Sequence, residues 1–247
     1  MSDAGQAGSG AAAVTSRARC AELAERLHRV SERIAAACAG AGRDTGEITL
    51  VAVTKTWPAS DVRLLYELGV TDFGENRDQD AAPKAAQCAD LAITWHFVGQ
   101  LQTNKAASVA RYAAVIHSVD RIRLVRALGS AARRAERVLA CLIQVSLDGE
   151  AGRGGAPLAE ASALAEAVAA EPGLLLGGVM AVAPLGLPAR EAFTGLARSA
   201  AAVRAVRPEA TIISAGMSGD LEAAVEAGAT HLRIGTALLG DRRPRVM

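Results

Sequence analysis

Aromatic residues are nearly missing from this sequence, at 3% of the chain against 51% for apolar residues of all kinds. A sizeable core can still be buried, but it has to be assembled from Ala, Val, Leu and Ile. Lysine is scarcer: of 27 basic residues only Lys55, Lys84 and Lys105 are lysines, so arginine is the default cation. Neither sign of charge is in excess, with 26 acidic residues and a formal charge of +1. That balance excludes a general nucleic-acid or anionic-membrane surface, which needs a basic surplus. Cysteines are few, and Cys20, Cys38, Cys88 and Cys141 form no CxxC pair. They read as small buried hydrophobes in a reducing compartment, with no metal site or disulfide framework.

Long hydrophobic runs are also missing. A membrane helix needs about 20 apolar residues, whereas Leu174–Pro184 is short, broken by glycines, and suited to a buried strand. The first residues are Gly, Ala and Ser with one acid and no basic or apolar signal region. They predict a disordered tail over residues 1–14, not a signal peptide, and a cytoplasmic protein.

What is present is an alternation. Ser16–Ala41 reads as a helix, with Leu23, Leu27, Val30 and Ile34 at spacings of three and four and Gly40 and Gly42 at its end. Strands are then predicted at Thr49–Thr54, Thr71–Phe73, Ile93–Val98, Ala113–His117, Val138–Val145, Gly177–Val182, Thr211–Ser214 and His231–Ile234, with helical stretches between them. A chain of 247 residues suits one domain of this kind, since barrels commonly run to about 250. The expectation is an α/β fold, a single (β/α)8 TIM barrel over residues 15–247 with an extra N-terminal helix. The competitor, an open doubly wound sheet, calls for a Gly-rich turn after the first strand. Here that strand runs into Lys55-Thr56-Trp57-Pro58, with no GxGxxG.

In such a barrel the site is built from loops at the C-terminal ends of the strands. Strand alternation puts Val51, Val53 and Lys55 on one face, and the branched valines suit the interior. An inward lysine in a partly desolvated pocket has a lowered amine pKa, which carbonyl capture requires. The other reading is a lysine snorkelling to solvent at a strand end, and the two weigh about evenly. On the far side, Ser214-Ala215-Gly216-Met217-Ser218-Gly219-Asp220 and Arg233-Ile234-Gly235-Thr236 form consecutive glycine turns after strands seven and eight. Barrels often bind phosphate there, through backbone N–H groups, with Ser218 and Thr236 as hydroxyl donors and Gly216 and Gly219 allowing close approach. Either turn alone is more often ordinary, but both in order point to a phosphate. A phosphate grip facing an inward lysine is the arrangement pyridoxal 5'-phosphate needs. Arg233 shares the interior face with Gly235, and there either meets the pyridine nitrogen or makes a structural ion pair.

Other residues carry less. His96, between Trp95 and Phe97, reads as packed; His117 lies nearer a strand end, behind the site; His28 and His231 are not placed for chemistry. Asn76 is placed to touch a ring oxygen, although a loop Asn is usually turn chemistry. Arg153 between Gly152 and Gly154 is an anion contact or solvated loop.

Taken together, Val51–Thr56, Phe73-Gly74-Glu75-Asn76, Trp95–Lys105, His117–Asp120, Leu142–Val145, Gly216-Met217-Ser218 and Arg233–Ala237 resemble the pyridoxal-phosphate homeostasis protein family of the YggS/PROSC type. That family is itself similar to the N-terminal barrel of alanine racemase without its second domain. The resemblance implies that Lys55 holds pyridoxal phosphate covalently as a Schiff base. It also implies that Ser218, Gly235 and Thr236 hold the phosphate and that Arg233 faces the pyridine nitrogen. The cofactor-binding set is then Lys55, Asn76, Ser214, Met217, Ser218, Arg233, Gly235 and Thr236, with no catalytic residue assigned. The chain departs from the family at Arg77, where an aromatic is usual, at Gly219, where an acid is usual, and in the Gly152–Gly155 loop, which lacks the usual lysine.

Two function classes compete. One is a carrier that buffers pyridoxal phosphate and passes it to apo-enzymes. The other is an amino-acid racemase or related enzyme, which needs a second acid/base opposite the lysine. In alanine racemase-like enzymes that group is a tyrosine of the partner's second domain. This chain ends soon after strand eight, and neither Tyr66 nor Tyr112 looks placed for the role, so the carrier is preferred and a monomer expected. A third reading, an aldolase-type barrel using Lys55 without cofactor, is colourless.

Overall fold

The eight apolar runs fold into β1 Thr49–Val53, β2 Asp72–Glu75, β3 Thr94–Phe97, β4 Val115–Val119, β5 Leu139–Gln144, β6 Leu174–Met180, β7 Ile212–Ser214 and β8 His231–Ile234. They come from a computed structural model that describes residues 4–148, 154–184 and 186–241. Each strand pairs in parallel with the next, and β8 pairs with β1 (Thr49 opposite His231, Ala52 opposite Ile234), which closes the barrel. Helices α2 Ala59–Glu67, α3 Asp78–Gln87, α4 Ala106–Val109, α5 Ile122–Arg134, α6 Ala161–Ala170, α7 Ala189–Val206 and α8 Leu221–Glu226 form the outer layer, and α9 Thr236–Leu239 follows β8. This is the (β/α)8 barrel that the alternation predicts.

The long helix α1 spans Ala4–Ala41 and so starts well before Ser16, inside the stretch expected as a tail. Alanine favours helix without marking an apolar face, so periodicity does not see the extension. Leu23, Val30, Ile34 and Cys38 are the buried face of α1. Gly42, at φ +65°, turns the chain out of the helix in the left-handed conformation that glycine adopts without strain.

Strand alternation sorts the interior. Ala52, Phe73, Phe97, Ile116, Cys141, Ile143, Val179, Ile213, Leu232 and Ile234 point outward into the main core between strands and helices. Inside, Val115, Leu142 and Met180 make a small separate apolar cluster with Ala114, Ala140 and Ile212. The rest of the interior holds Val51 and Val53 of β1 and a group of polar residues, His96, His117, Ser214 and Arg233, all buried there. Strand β6 begins at Leu174, earlier than the predicted Gly177, because Gly177 and Gly178 sit inside it and not at its start. A Cβ on Gly178 would collide with the Ile212 carbonyl of β7, so close strand approach requires glycine there.

Candidate functional site

One cleft at the C-terminal rim is lined by Val53, Lys55, Thr56 and Trp57 from the β1 side and by Met217, Ser218, Gly219, Arg233, Gly235, Thr236 and Gly240 from the β7 and β8 side. Six of the eight predicted residues therefore meet: Lys55, Met217, Ser218, Arg233, Gly235 and Thr236. The inward alternation of β1 holds, since a Cβ at Gly74 would touch Val51 and Val53 at 3.2 and 3.3 Å. Lys55 is half-buried. Thr56 follows it at φ +72°, a left-handed conformation that costs a β-branched residue of order 1–3 kcal/mol. Backbone strain of that kind persists only where the surroundings impose it, here beside the lysine.

The far wall is made by the two turns. The Ser218 hydroxyl accepts a hydrogen bond from the Ala237 N–H of α9 at 3.1 Å, so its own O–H is left to donate. Gly216, at φ +87°, serves packing and not ligand approach: a Cβ there would press on Ala224 and Leu232. Gly219 has open space around it, as expected for close approach. Met217 donates its N–H to Asp220 Oδ1 at 2.6 Å, which tightens the turn.

The remaining two predicted residues lie elsewhere. Asn76 lines a neighbouring cleft with Arg77, Gln100, Gln102 and Lys105. Ser214, at the end of β7, is fully buried beneath the cleft, where its hydroxyl accepts from Arg233 Nη1 at 2.6 Å. Arg233 is itself 5% exposed and donates through Nη2 to the Ala181 carbonyl at 2.8 Å. Burial pulls its pKa down to about 10, against the opposing pull of Asp220. The guanidinium is still a cation at neutral pH, and its structural partner is a hydroxyl and a carbonyl, not the carboxylate of an ion pair. Arg153 lies outside the described residues.

Three supports were not legible in the sequence. Lys84 on α3 is 6% exposed and reaches inward to the Thr54 carbonyl at 2.8 Å and to Glu75. The Thr54 hydroxyl also donates to Glu75, at 2.7 Å. Burial pushes the Glu75 carboxyl up, against the opposing pull of Lys84 and Thr54. This clamp grips the chain immediately before Lys55 and immediately before Asn76.

The second support is α1. Its Arg33 donates to the Ser218 carbonyl at 3.0 Å and pairs with Glu222, while Arg19 stacks 4.6 Å over the Trp57 ring and donates to Asp61 and to the Leu239 carbonyl. The third is a line of polar groups below Arg233: His117 Nδ1 is 2.9 Å from Ser214 Oγ, His96 Nδ1 is 2.8 Å from His117 Nε2, and His96 Nε2 is 3.0 Å from Asp72 Oδ1. His96 is packed, as its flanking aromatics predict, and His117 does stand behind the site. The early signals for these contacts were the place of His117 near a strand end and the scarcity of lysine, which marks Lys84 as unusual without saying what it touches.

Comparison with known proteins matches residues 22–243 to the family described as alanine racemase, N-terminal domain. The chain is similar to the pyridoxal phosphate homeostasis protein of Mycobacterium tuberculosis (strain ATCC 25618 / H37Rv), at 44% identity over 92% of this chain and 95% of the relative. Among solved structures, PipY of Synechococcus elongatus PCC7942, solved with PLP bound, aligns with a TM-score of 0.77 at 34% identity, over 89% of this chain and 100% of that one. Alanine racemase from Corynebacterium glutamicum aligns at 0.66 and 16% identity, over 92% of this chain and 63% of that one, which shows a shared barrel.

Proposed function

This chain belongs to the pyridoxal phosphate homeostasis protein family, and on that premise we propose that it binds pyridoxal 5'-phosphate covalently on Lys55 and acts as an intracellular carrier of it. The observation that carries the reading is the cleft itself, where an amine, two hydroxyl-bearing turns and a buried guanidinium converge. When bound, the cofactor supplies an aldehyde for Lys55 and an electron-accepting ring. Ser218, whose oxygen is already anchored by Ala237, donates its O–H to the phosphate, joined by Gly235 and Thr236. Arg233 presents a fixed positive charge to the ring nitrogen and so disfavours its protonation, which weakens the ring as an electron sink.

The racemase reading needs a second acid/base facing the lysine across the ring. Among the described residues that line the cleft there is no Tyr, His, Asp or Glu. Tyr66 lies on α2, and Tyr112 lines a different cleft with Trp95 and Ala85. The cleft therefore suits holding and release better than turnover. The protein works in the cytoplasm as a monomer and hands the cofactor to apo-enzymes. Among the described residues no helix is long and apolar enough to cross a membrane.

The test is direct. Purified protein given pyridoxal phosphate absorbs in the near-visible, and borohydride fixes one cofactor to the peptide that contains Lys55. Lys55→Ala abolishes both signals. A protein that stays colourless overturns the reading and favours the cofactor-free barrel; appreciable D-isomer formation from single L-amino acids favours the racemase.

A further inference from the structure

The polar line beneath the cleft has a direction that donor and acceptor chemistry alone determines. At one end Arg233 can only donate; at the other a carboxylate can only accept. Between them stand Ser214, His117 and His96, at successive distances of 2.6, 2.9, 2.8 and 3.0 Å from guanidinium to carboxylate. The line starts on β8, crosses the barrel interior from β7 to β4, passes to β3 and ends on β2 at Asp72. Asp72 sits at the N-terminal mouth, opposite the Lys55 cleft.

We infer that Asp72, His96, His117 and Ser214 are positioning residues for Arg233, joined in a one-way hydrogen-bond chain Arg233→Ser214→His117→His96→Asp72 in which both imidazoles carry their proton on Nε2. Ser214 accepts from Arg233 and donates its own O–H to His117 Nδ1. His117 donates from Nε2 to His96 Nδ1, and His96 donates from Nε2 to Asp72. Every member then has a partner, and the charges sit only at the two ends. The reverse direction puts a proton on His117 Nδ1 and makes His96 a donor at both nitrogens. It adds a cation to an interior that already holds Arg233, and it leaves the Ser214 O–H without its acceptor.

Independent features agree with the forward direction. Burial, together with His96, Arg233 and His231, holds His117 well below the ordinary histidine range, so it carries a single ring proton, as either direction requires, and the choice between them falls on the His96–Asp72 end. The second Asp72 oxygen is occupied by the Thr71 hydroxyl at 2.8 Å. Burial raises the Asp72 carboxyl, but hydrogen bonds from His96 and Thr71 outweigh it, and the net shift is downward. The other titratable groups facing the chain are His231 on β8, whose ring lies 6.1 Å from His96, and Asp220, which acts on Arg233. The chain holds the Nη1 side of the guanidinium from below, while Arg233 lines the cleft above. That pyridoxal phosphate is the group that meets Arg233 rests on the reading proposed above; the direction of the chain does not.

The experiment is long-range proton–nitrogen NMR on 15N-histidine-labelled protein without cofactor, where His28→Gln, His231→Gln and His96→Gln each remove one of the four histidine signals and so assign the remaining one to His117. The expected result is Nε2–H with bare Nδ1 for both His96 and His117. Nδ1–H on His117, or a doubly protonated His96 at neutral pH, overturns the proposal. Asp72→Leu removes the last acceptor at a partly buried position. It is expected to shift His117 toward Nδ1–H and to weaken pyridoxal phosphate binding about five-fold, the worth of one ordinary hydrogen bond. Asp72→Asn, which retains an acceptor oxygen, is expected to restore both. A purely structural role would lower the melting temperature of Asp72→Leu and leave the His117 tautomer and the affinity unchanged, and that result also overturns the proposal. If the wild-type protein takes up no pyridoxal phosphate, the cofactor reading falls while the tautomers still decide the chain.

Discussion

On the outer side of the barrel wall, Lys84 touches the Glu75 carboxylate directly; inside the wall, Arg233 reaches the Asp72 carboxylate only through Ser214, His117 and His96. Both arrangements begin beside the Lys55 cleft and both join a cation to an acid. In the outer one two charges are desolvated together, and each depends on the other for compensation. In the inner one the three groups of the proposed chain separate the charges; the Ser214–His117 and His117–His96 links are ordinary hydrogen bonds of about 1 kcal/mol, and the two end links, each to a charged group, are stronger. The outer pair fixes where the backbone goes at Thr54 and Glu75, whereas the inner chain fixes how one guanidinium is turned. Direct ion pairs concentrate stability; relayed ones spread it and add a sense of direction.

The sharpest way to break that contrast is Lys84→Met, which leaves Glu75 buried and uncompensated. It should cost about 3–5 kcal/mol, read as a lowered urea midpoint, while Lys84→Met with Glu75→Gln should recover much of the loss. A single variant as stable as wild type would mean that the pair is not the clamp described.

The inner network should respond to acid instead. Burial and His96 hold His231 at about 4, below its usual 6.5, and His117 is displaced in the same direction. The unfolded chain then binds more protons than the folded one as pH drops below 6.5. Stability is therefore complete above that value and is lost progressively toward pH 4, by about 3 kcal/mol for His231 alone. Urea midpoints at pH 7 and pH 4.5 measure this, and His231→Gln should flatten the profile. An unchanged midpoint in wild type would refute the histidine account.

The smallest effect belongs to the surface. Arg33→Ala removes a part-buried contact to the Ser218 carbonyl and an exposed one to Glu222, and should cost under about 1 kcal/mol of stability. It should raise the dissociation constant for pyridoxal phosphate slightly if α1 braces the phosphate turn. A large loss of binding would mean that Arg33 itself meets the ligand.

Much of the fold was legible because barrel strands announce themselves locally, as short apolar runs between Ala-rich helices. Lys55, Ser218, Gly235 and Thr236 could be placed at one rim because strand ends and glycine turns are local features, and parallel closure brings β1 next to β8. Asn76 was expected in the same cleft and lines the adjacent one, since a position on the rim does not say which way a loop leans. The helical course of α1 from Ala4 has no local signature, because it carries no apolar period.

The amino-acid order by itself determined the barrel, the inward face of β1 and the pair of turns opposite, all of which follow from alternation and turn chemistry within a few residues, whereas Lys55 stood evenly between cleft and solvent until the structure put it in the cleft. Only the tertiary structure decided that Lys84 would underpin Lys55, and that Ser214 would serve Arg233 from beneath and not line the cleft. It also brought His117 from β4 to β7 across the interior, which joined Arg233 to Asp72. Those contacts link residues far apart in sequence, and no local pattern encodes them until the barrel has closed.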